Sequence, residues 1–363
     1  MNKKFRMKAF IFFLFVLLLT ACSSSEDETT ENSSVNSKSS EKQIEIIMGT
    51  PHSTSHHAHK NVYTPWVDLV EEKTNGKAFV SYHPNGTLGK PANTMTDAGS
   101  GVYDVGIVAL GYEFDSTLFP YTVLTLPFAF PDIDVAKKVI DKYVQGHQDD
   151  VNLDKVISLG GFTPTDPYII QSTKPIKTVE DVKGMKIFVP GDTVAEIVKG
   201  WGATPVSLAT EELYQSLERG VIDAAVNSAA NSVSWKVHEV APYIVDISIS
   251  NNPVSMVMNK TLYDSLPDDV KKIFDNELID FMPNAFFESY HKEIDRAMNE
   301  FKESGAEISK LSPEEYAKFM KPAKGVWDAW VEEANQKGYD GNQLMSDFIE
   351  TLESEGVVIP FEM

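Results

Sequence analysis

Between Lys174 and Asn227 short apolar runs alternate with amphipathic segments, with almost no spare residues between them, and this layout leaves few architectures open. Ile187 to Val189 is an apolar run closed by Pro190-Gly191, a pair that ends a ladder and turns the chain toward a helix opened by Asp192 and Thr193. That helix is predicted over Val194 to Trp201 and stops at Gly202. Ala203 to Val206 supplies a second strand. Thr210 then caps a helix that carries Leu213, Tyr214 and Leu217 at helical spacing, and Gly220 ends it. Val221-Ile222 starts a buried strand that points toward Asp223 and Asn227. Strands alternating with helices in this way predict an α/β fold with a largely parallel sheet.

The same alternation runs through the rest of the chain. Ile44 to Met48, Ala78 to Tyr82 and Asp104 to Val108 read as strands, with helices through Trp66 and Val70 and over Ala92 to Ser100. In such sheets ligands gather at the carboxyl ends of strands, a rule that brings Thr50, Ala109 to Tyr112 and Asn227 together. Further on, Val135 to Tyr143 reads as a helix and Val156 to Gly161 as a strand. Two crossovers are expected, at Pro164 to Ser172 and near Ile247 to Val254. A long amphipathic helix is predicted from about Ala285 to Glu303. Ser312-Pro-Glu-Glu315 has the capping-box pattern, and a helix over Gly325 to Lys337 carries Trp327 and Trp330, expected to pack on the outside.

The two ends of the composition are equally directive. Lys3, Lys4, Arg6 and Lys8 head a short apolar core, Ala9 to Leu19, followed by Leu19-Thr20-Ala21-Cys22, the small-residue pattern of a lipoprotein cleavage site. Residues 1–22 are therefore expected to be a signal peptide, and Cys22, the one cysteine in 363 residues, the lipid attachment point. Residues 23–42 are rich in Ser, Thr, Glu and Asn and are expected to form a flexible tether. The formal charge is −21, and loss of a leader with four basic and no acidic residues leaves −25, which argues against a nucleic-acid partner.

The stretch from Lys174 to Asn227 resembles the second lobe of the extracytoplasmic solute receptors of TRAP (tripartite ATP-independent periplasmic) transporters. The resemblance continues in EEKTNGKAFVSYHPNGTLGK (Glu71 to Lys90), SGVYDVGIVALGY (Ser100 to Tyr112), LTLPFAF (Leu124 to Phe130) and VSMVMNKTLYDSLPDDVKKIF (Val254 to Phe274). It implies a two-lobe, periplasmic-binding-protein-like type II fold, each lobe a mixed, mostly parallel sheet flanked by helices, with the long helix spanning both. Lobe I would comprise 43–165 plus about 254–285, and lobe II 166–253 plus about 290–363 with the C-terminal helices. The resemblance also implies a small organic solute as ligand, a two-part membrane permease as partner, and closure by hinge motion. The lipid anchor adds the bilayer as a partner and places the receptor on the outer face of a single-membrane, Gram-positive cell.

One feature departs from the family. Where these receptors usually carry an arginine in the strand before the Pro-Gly turn, a two-pronged donor for a carboxylate, this chain has Phe188. Beyond the leader only Arg219 and Arg296 remain, and both sit where a solvated role is the simpler reading. Asn227 matches an asparagine that in relatives reaches the ligand, although an Asn here can also cap a loop. Tyr168 stands near the place of a second ligand-side arginine. Tyr112, Phe188, Tyr168 and Trp235 would offer aromatic faces to a neutral or amine-bearing ligand, with a carboxylate such as Asp166 as partner, against the plainer alternative that each is packing. An organic acid held without arginine is the competing ligand class.

The group His52, His56, His57 and His59 raises a different function, a metal-binding surface lipoprotein, since His56 and His59 stand three apart and can share a helix face. No cysteine joins them and H-E-x-x-H is absent, so no metal site is assigned; His52 is instead taken as a cleft residue. No nucleophile elbow, P-loop or dinucleotide loop is present, no cofactor is expected, and the chain reads as a receptor rather than an enzyme.

Overall fold

The computed structural model describes residues 43–208, 212–359 and 361. The leader, Cys22, the tether and Thr210 lie outside these residues. Eleven strands are described: β1 (Ile44–Gly49), β2 (Ala78–His83), β3 (Val105–Ala109), β4 (Val156–Ser158), β5 (Tyr168–Ser172), β6 (Lys186–Phe188), β7 (Thr204–Val206), β8 (Ala224–Ser228), β9 (Tyr243–Val245), β10 (Val254–Asn259) and β11 (Glu307–Ser309). They form two sheets, ordered β2-β1-β3-β10-β4 and β11-β9-β5-β8-β6-β7. Each sheet is the centre of one lobe.

Both sheets are mixed. β1 pairs in parallel with β2 and β3, and β6 with β7 and β8. The antiparallel members are β10, which lies between β3 and β4, and β5, which lies between β8 and β9. β5 and β10 are the first strands after the two crossovers. A chain arriving from the other lobe enters the sheet from the opposite end, which accounts for their reversed direction. Central strands β3, β8 and β10 are buried along their whole length, as expected of strands covered on both faces.

The crossovers are zipped to each other. Thr163 and Val254 exchange backbone bonds of 2.8 and 2.9 Å, and Tyr168 N donates to Ser250 O at 2.9 Å while Ile249 N donates to Tyr168 O at 3.0 Å. Beside them runs the helix Phe281–Glu303, 23 residues long. Its first half places Met282, Phe286 and Tyr290 in the core of lobe I, and its second half places Ala297 and Phe301 against Ile169 and Ile244 of lobe II. One rigid rod therefore belongs to two cores.

The C-terminal helices depart from expectation. Trp327 and Trp330, 1 % and 3 % exposed, do not lie on the outside. Trp327 Nε1 donates to Pro127 O at 3.0 Å, and Trp330 Nε1 donates to Thr122 Oγ1 at 2.9 Å with its ring stacked on Phe119. Their helix, Ala323–Gln336, also packs on the helix Asp192–Gly200 of lobe II. The i, i+3 spacing puts both indoles on one face, and burying that face against both lobes is worth more than exposing it. Ser312 caps the helix Pro313–Met320 through Glu315 N, but the reciprocal half of the box is replaced: Glu315 Oε2 accepts from Val179 N at 3.1 Å.

Candidate functional site

The carboxyl ends of β3 and β6 open onto a cavity of about 560 Å³ between the lobes. Lobe I contributes Gly111, Tyr112, Phe114 and Thr125; lobe II contributes Tyr168 and the turn Pro190 to Val194; Ser250 to Asn252 of the second crossover form the back, and Glu333 stands at the rim. A larger groove, about 1100 Å³, runs between the last two helices past Asp328, Glu332 and Glu350. It touches neither sheet's strand ends, and closing the lobes would not enclose a ligand there. The smaller cavity is the one that a two-lobe receptor can shut.

Of the residues singled out in the sequence, Tyr112 and Tyr168 line this cavity, Tyr112 being 52 % exposed. Ala109 ends β3 inside the lobe I core, paired with Val254. Thr50 is buried and its Oγ1 lies 3.2 Å from Tyr82 Oη; His52 Nδ1 lies 2.7 Å from Tyr63 Oη. Phe188, 3 % exposed, packs in a cluster with Leu213, Leu217, Ile222 and Val237, and Trp235 leans on the same cluster from outside. Asn227, 4 % exposed, lies on the Phe188 face of the second sheet, because Ala225 opposite Phe188 is two residues before it. Its Nδ2 has no hydrogen-bond partner among the described residues. So the named residues divide between the cavity, a histidine shelf on lobe I and the interior of lobe II. The turn Gly191 to Thr193 and the crossover pair Asn251-Asn252 were not singled out, although Pro-Gly and Asn-Asn after a strand are visible turn signals.

A model of the bacterial extracellular solute-binding proteins, family 7, matches residues 48–334. The chain belongs to that family. It is a TRAP-type extracytoplasmic solute receptor, a binding protein and not an enzyme. It is 28% identical over 233 residues to a solute-binding protein of Sulfitobacter sp. (strain NAS-14.1), covering 63% of this chain and 70% of that one. It is 25% identical over 292 residues to the C4-dicarboxylate-binding protein DctB of Bacillus subtilis (strain 168), covering 78% and 82%. The crystal structure of a TRAP periplasmic solute-binding protein from Desulfovibrio salexigens superposes with a TM-score of 0.77 at 23% identity, over 87% of this chain and 98% of that one, and shows the same fold.

Charge on the cavity of this family 7 receptor is one-sided. The ionisable carboxylates on its lining are Asp192 and Glu333, and no lysine, arginine or histidine is among the described lining residues. Arg296 pairs with Glu293 at 2.6 Å on the long helix, and Arg219 lies exposed at the end of the helix Leu213–Glu218. Behind Tyr168, Asp166 is buried and its Oδ2 accepts from Ala230 N at 3.1 Å. Burial pushes this carboxyl up to about 6, against the lowering effect of its hydrogen bonds to Ala230 and Ser228.

The histidine shelf is stacked: His52 on His56 at 4.0 Å between ring centroids, and His56 against His57 at 4.3 Å. His57 Nδ1 lies 2.7 Å from Ser289 Oγ of the long helix, and His56 Nδ1 accepts from Ala58 N at 3.2 Å. His59 opens the π-turn His59–Tyr63 and stacks on Tyr82, its Nδ1 3.2 Å from Tyr82 Oη. Among the described residues no group of three or more His, Cys, Asp or Glu is arranged to hold a metal ion.

Burial lowers His56 to about 4 and, with the neighbouring His56 and Arg296 charges, His57 to about 3; burial and the neighbouring His56 and His57 charges push His52 well down. In the unfolded chain these rings titrate near about 6.5. Below that pH the unfolded chain binds more protons, so stability present at neutral pH is lost as pH falls toward 4 and 3. Asp166 works in the opposite sense between about 6 and its unfolded value, offsetting one of the three. The melting temperature should therefore drop on acidification below pH 6.5. In His56→Asn the slope should flatten by up to roughly 1.4 kcal/mol per pH unit, the effect of one proton. Thermal melts across this range check it; an unchanged slope would count against a neutral His56 in the fold.

Proposed function

We propose that this receptor captures a small organic solute lacking a required carboxylate, neutral or amine-bearing, between its two lobes, and hands it to a TRAP membrane permease. The observation that carries the ligand class is the cavity lining, whose described charges are all acidic, together with Phe188 buried in apolar packing where a cation would be expected. A carboxylate entering this cavity would meet like charge without a fixed guanidinium. Solute bridging Tyr112 on one lobe and Tyr168 on the other would favour the closed population. Cys22 would hold the receptor at the outer membrane face through lipid, and a Cys22→Ala chain released into the medium is the expected result.

The test is a thermal-shift screen of the mature chain against polyols and amines on one side, and succinate, galacturonate and benzoate on the other. Ligand at about 100 times its dissociation constant should add roughly 2.7 kcal/mol. The ligand class is wrong if the acids alone raise the melt.

A second reading has its own support. The helix Asp192–Gly200 opens on the cavity wall at Gly191, with no side chain capping it. Its free N–H groups could receive an organic acid in place of the arginine, as the name of the Bacillus relative would suggest. Asp192 in its first turn works against this by placing a negative charge at the same end.

A further inference from the structure

The second crossover runs Ser250-Asn251-Asn252 along the inter-lobe cavity, and the side chains on either side of Asn251 are hydrogen-bonded. Ser250 Oγ donates to Thr125 O at 2.9 Å. Asn252 Oδ1 accepts from Gly111 N at 2.7 Å, and Asn252 N donates to Thr165 Oγ1 at 3.0 Å. Asn251 differs. It is 6 % exposed, it lines the cavity, and its Oδ1 is buried with no hydrogen-bond partner among the described residues. A buried carbonyl left unpaired costs about 1–3 kcal/mol, a cost that a bound donor would remove.

We propose that Asn251 is a ligand-binding residue that selects an organic ammonium, of the size and kind of an arylalkylamine. The inference rests on the non-carboxylate reading of the cavity and narrows it. Oδ1 is covered in this structure, and an ammonium head would donate to it once the amide turns toward the cavity that the residue lines. The exposed face of Tyr112 and the ring of Tyr168 flank the same space, where a cation is attracted by the ring quadrupole. Asp192 and Glu333 supply the outer negative field, Glu333 also meeting Lys337 at 3.4 Å on its solvent side. Because Asn251 belongs to the second crossover, a ligand held there would touch a segment that moves with the expected closure.

Three probes with one ring and three heads test this: tyramine (ammonium), tyrosol (neutral hydroxyl) and 4-hydroxyphenylacetate (carboxylate), measured by calorimetry on the whole mature receptor. Tyramine should bind tightest, by about tenfold over tyrosol, which is ~1.4 kcal/mol. Asn251→Leu should weaken tyramine by about tenfold and leave the melting temperature of the ligand-free protein unchanged or raised, since the amide has no partner to lose. Asn251→Asp should tighten tyramine and repel 4-hydroxyphenylacetate. Tyrosol binding as tightly as tyramine overturns the ammonium proposal while leaving the non-carboxylate reading intact. If 4-hydroxyphenylacetate binds tightest, both fall. No measurable tyramine binding, or an Asn251→Leu protein that binds tyramine like the wild type, overturns the proposal outright, as does a lower melt for ligand-free Asn251→Leu, which would make Asn251 a structural residue.

Discussion

Gly160→Ala should unfold the receptor or cost it about 3–4 kcal/mol, among the largest effects expected of a one-methyl change. Gly160 has a φ of +111°, a conformation that an L side chain rarely adopts. A Cβ there would stand 2.3 Å from Ile279 O and 2.9 Å from Pro283 Cδ, atoms at the root of the long helix with no freedom to retreat. Gly160 O in turn accepts from Ser255 Oγ at 3.2 Å, so the segment after β4, the strand β10 and the spanning helix all meet at this residue. Urea unfolding measures the loss. Gly161→Ala is the control: a Cβ at Gly161 meets nothing within 4 Å, and its change should stay within about 0.5 kcal/mol. Equal behaviour of the two variants would show that the close approach at Gly160 is not a constraint.

Restoring the family's arginine should fail as a single step. In Phe188→Arg the guanidinium would enter an apolar cluster formed by Leu213, Leu217, Ile222, Ala225 and Val237. An unpaired buried charge costs about 3–5 kcal/mol, and Asn227, whose amide oxygen can accept one bond, offsets little of it. The expected result is a protein that unfolds at markedly lower urea and gains no measurable affinity for succinate. A Phe188→Arg receptor that keeps its stability and binds succinate would mean that the arginine side chain turns out of the cluster into the cleft. The cavity would then be one substitution from the dicarboxylate binding named for the Bacillus relative.

The elements of the second lobe were legible because punctuation is local: Pro190-Gly191, Gly202 and Gly220 mark ends whatever surrounds them. The antiparallel setting of β5 and β10 was not, since direction within a sheet depends on where a crossover enters and not on the residues of the strand. Trp327 and Trp330 misled for a similar reason. Helical periodicity shows that both share a face but not that Pro127 and Thr122 of the other lobe lie beneath it. The rule that ligands gather at strand ends pointed to Tyr112, which lines the cavity. It could not separate Tyr112 from Ala109, which closes the same strand yet points into the core. Asn251 was invisible because an Asn-Asn pair signals a turn with or without a ligand. Its place on the cavity lining and its unpaired Oδ1 appear only in the folded structure.

The insertion of β10 between β3 and β4 has a consequence for the order in which the protein can be made. β4 pairs with β10 alone, and β10 begins at Val254. A ribosome that has delivered the first crossover and the whole middle of the second sheet has still not supplied the strand that joins β4 to β3. Until residue 259 is available β3 has a bare edge and β4 has no strand beside it among the described ones. Such a nascent chain keeps its N-terminal half unfinished for most of synthesis, the condition in which an unfolded polypeptide remains able to thread a translocation channel.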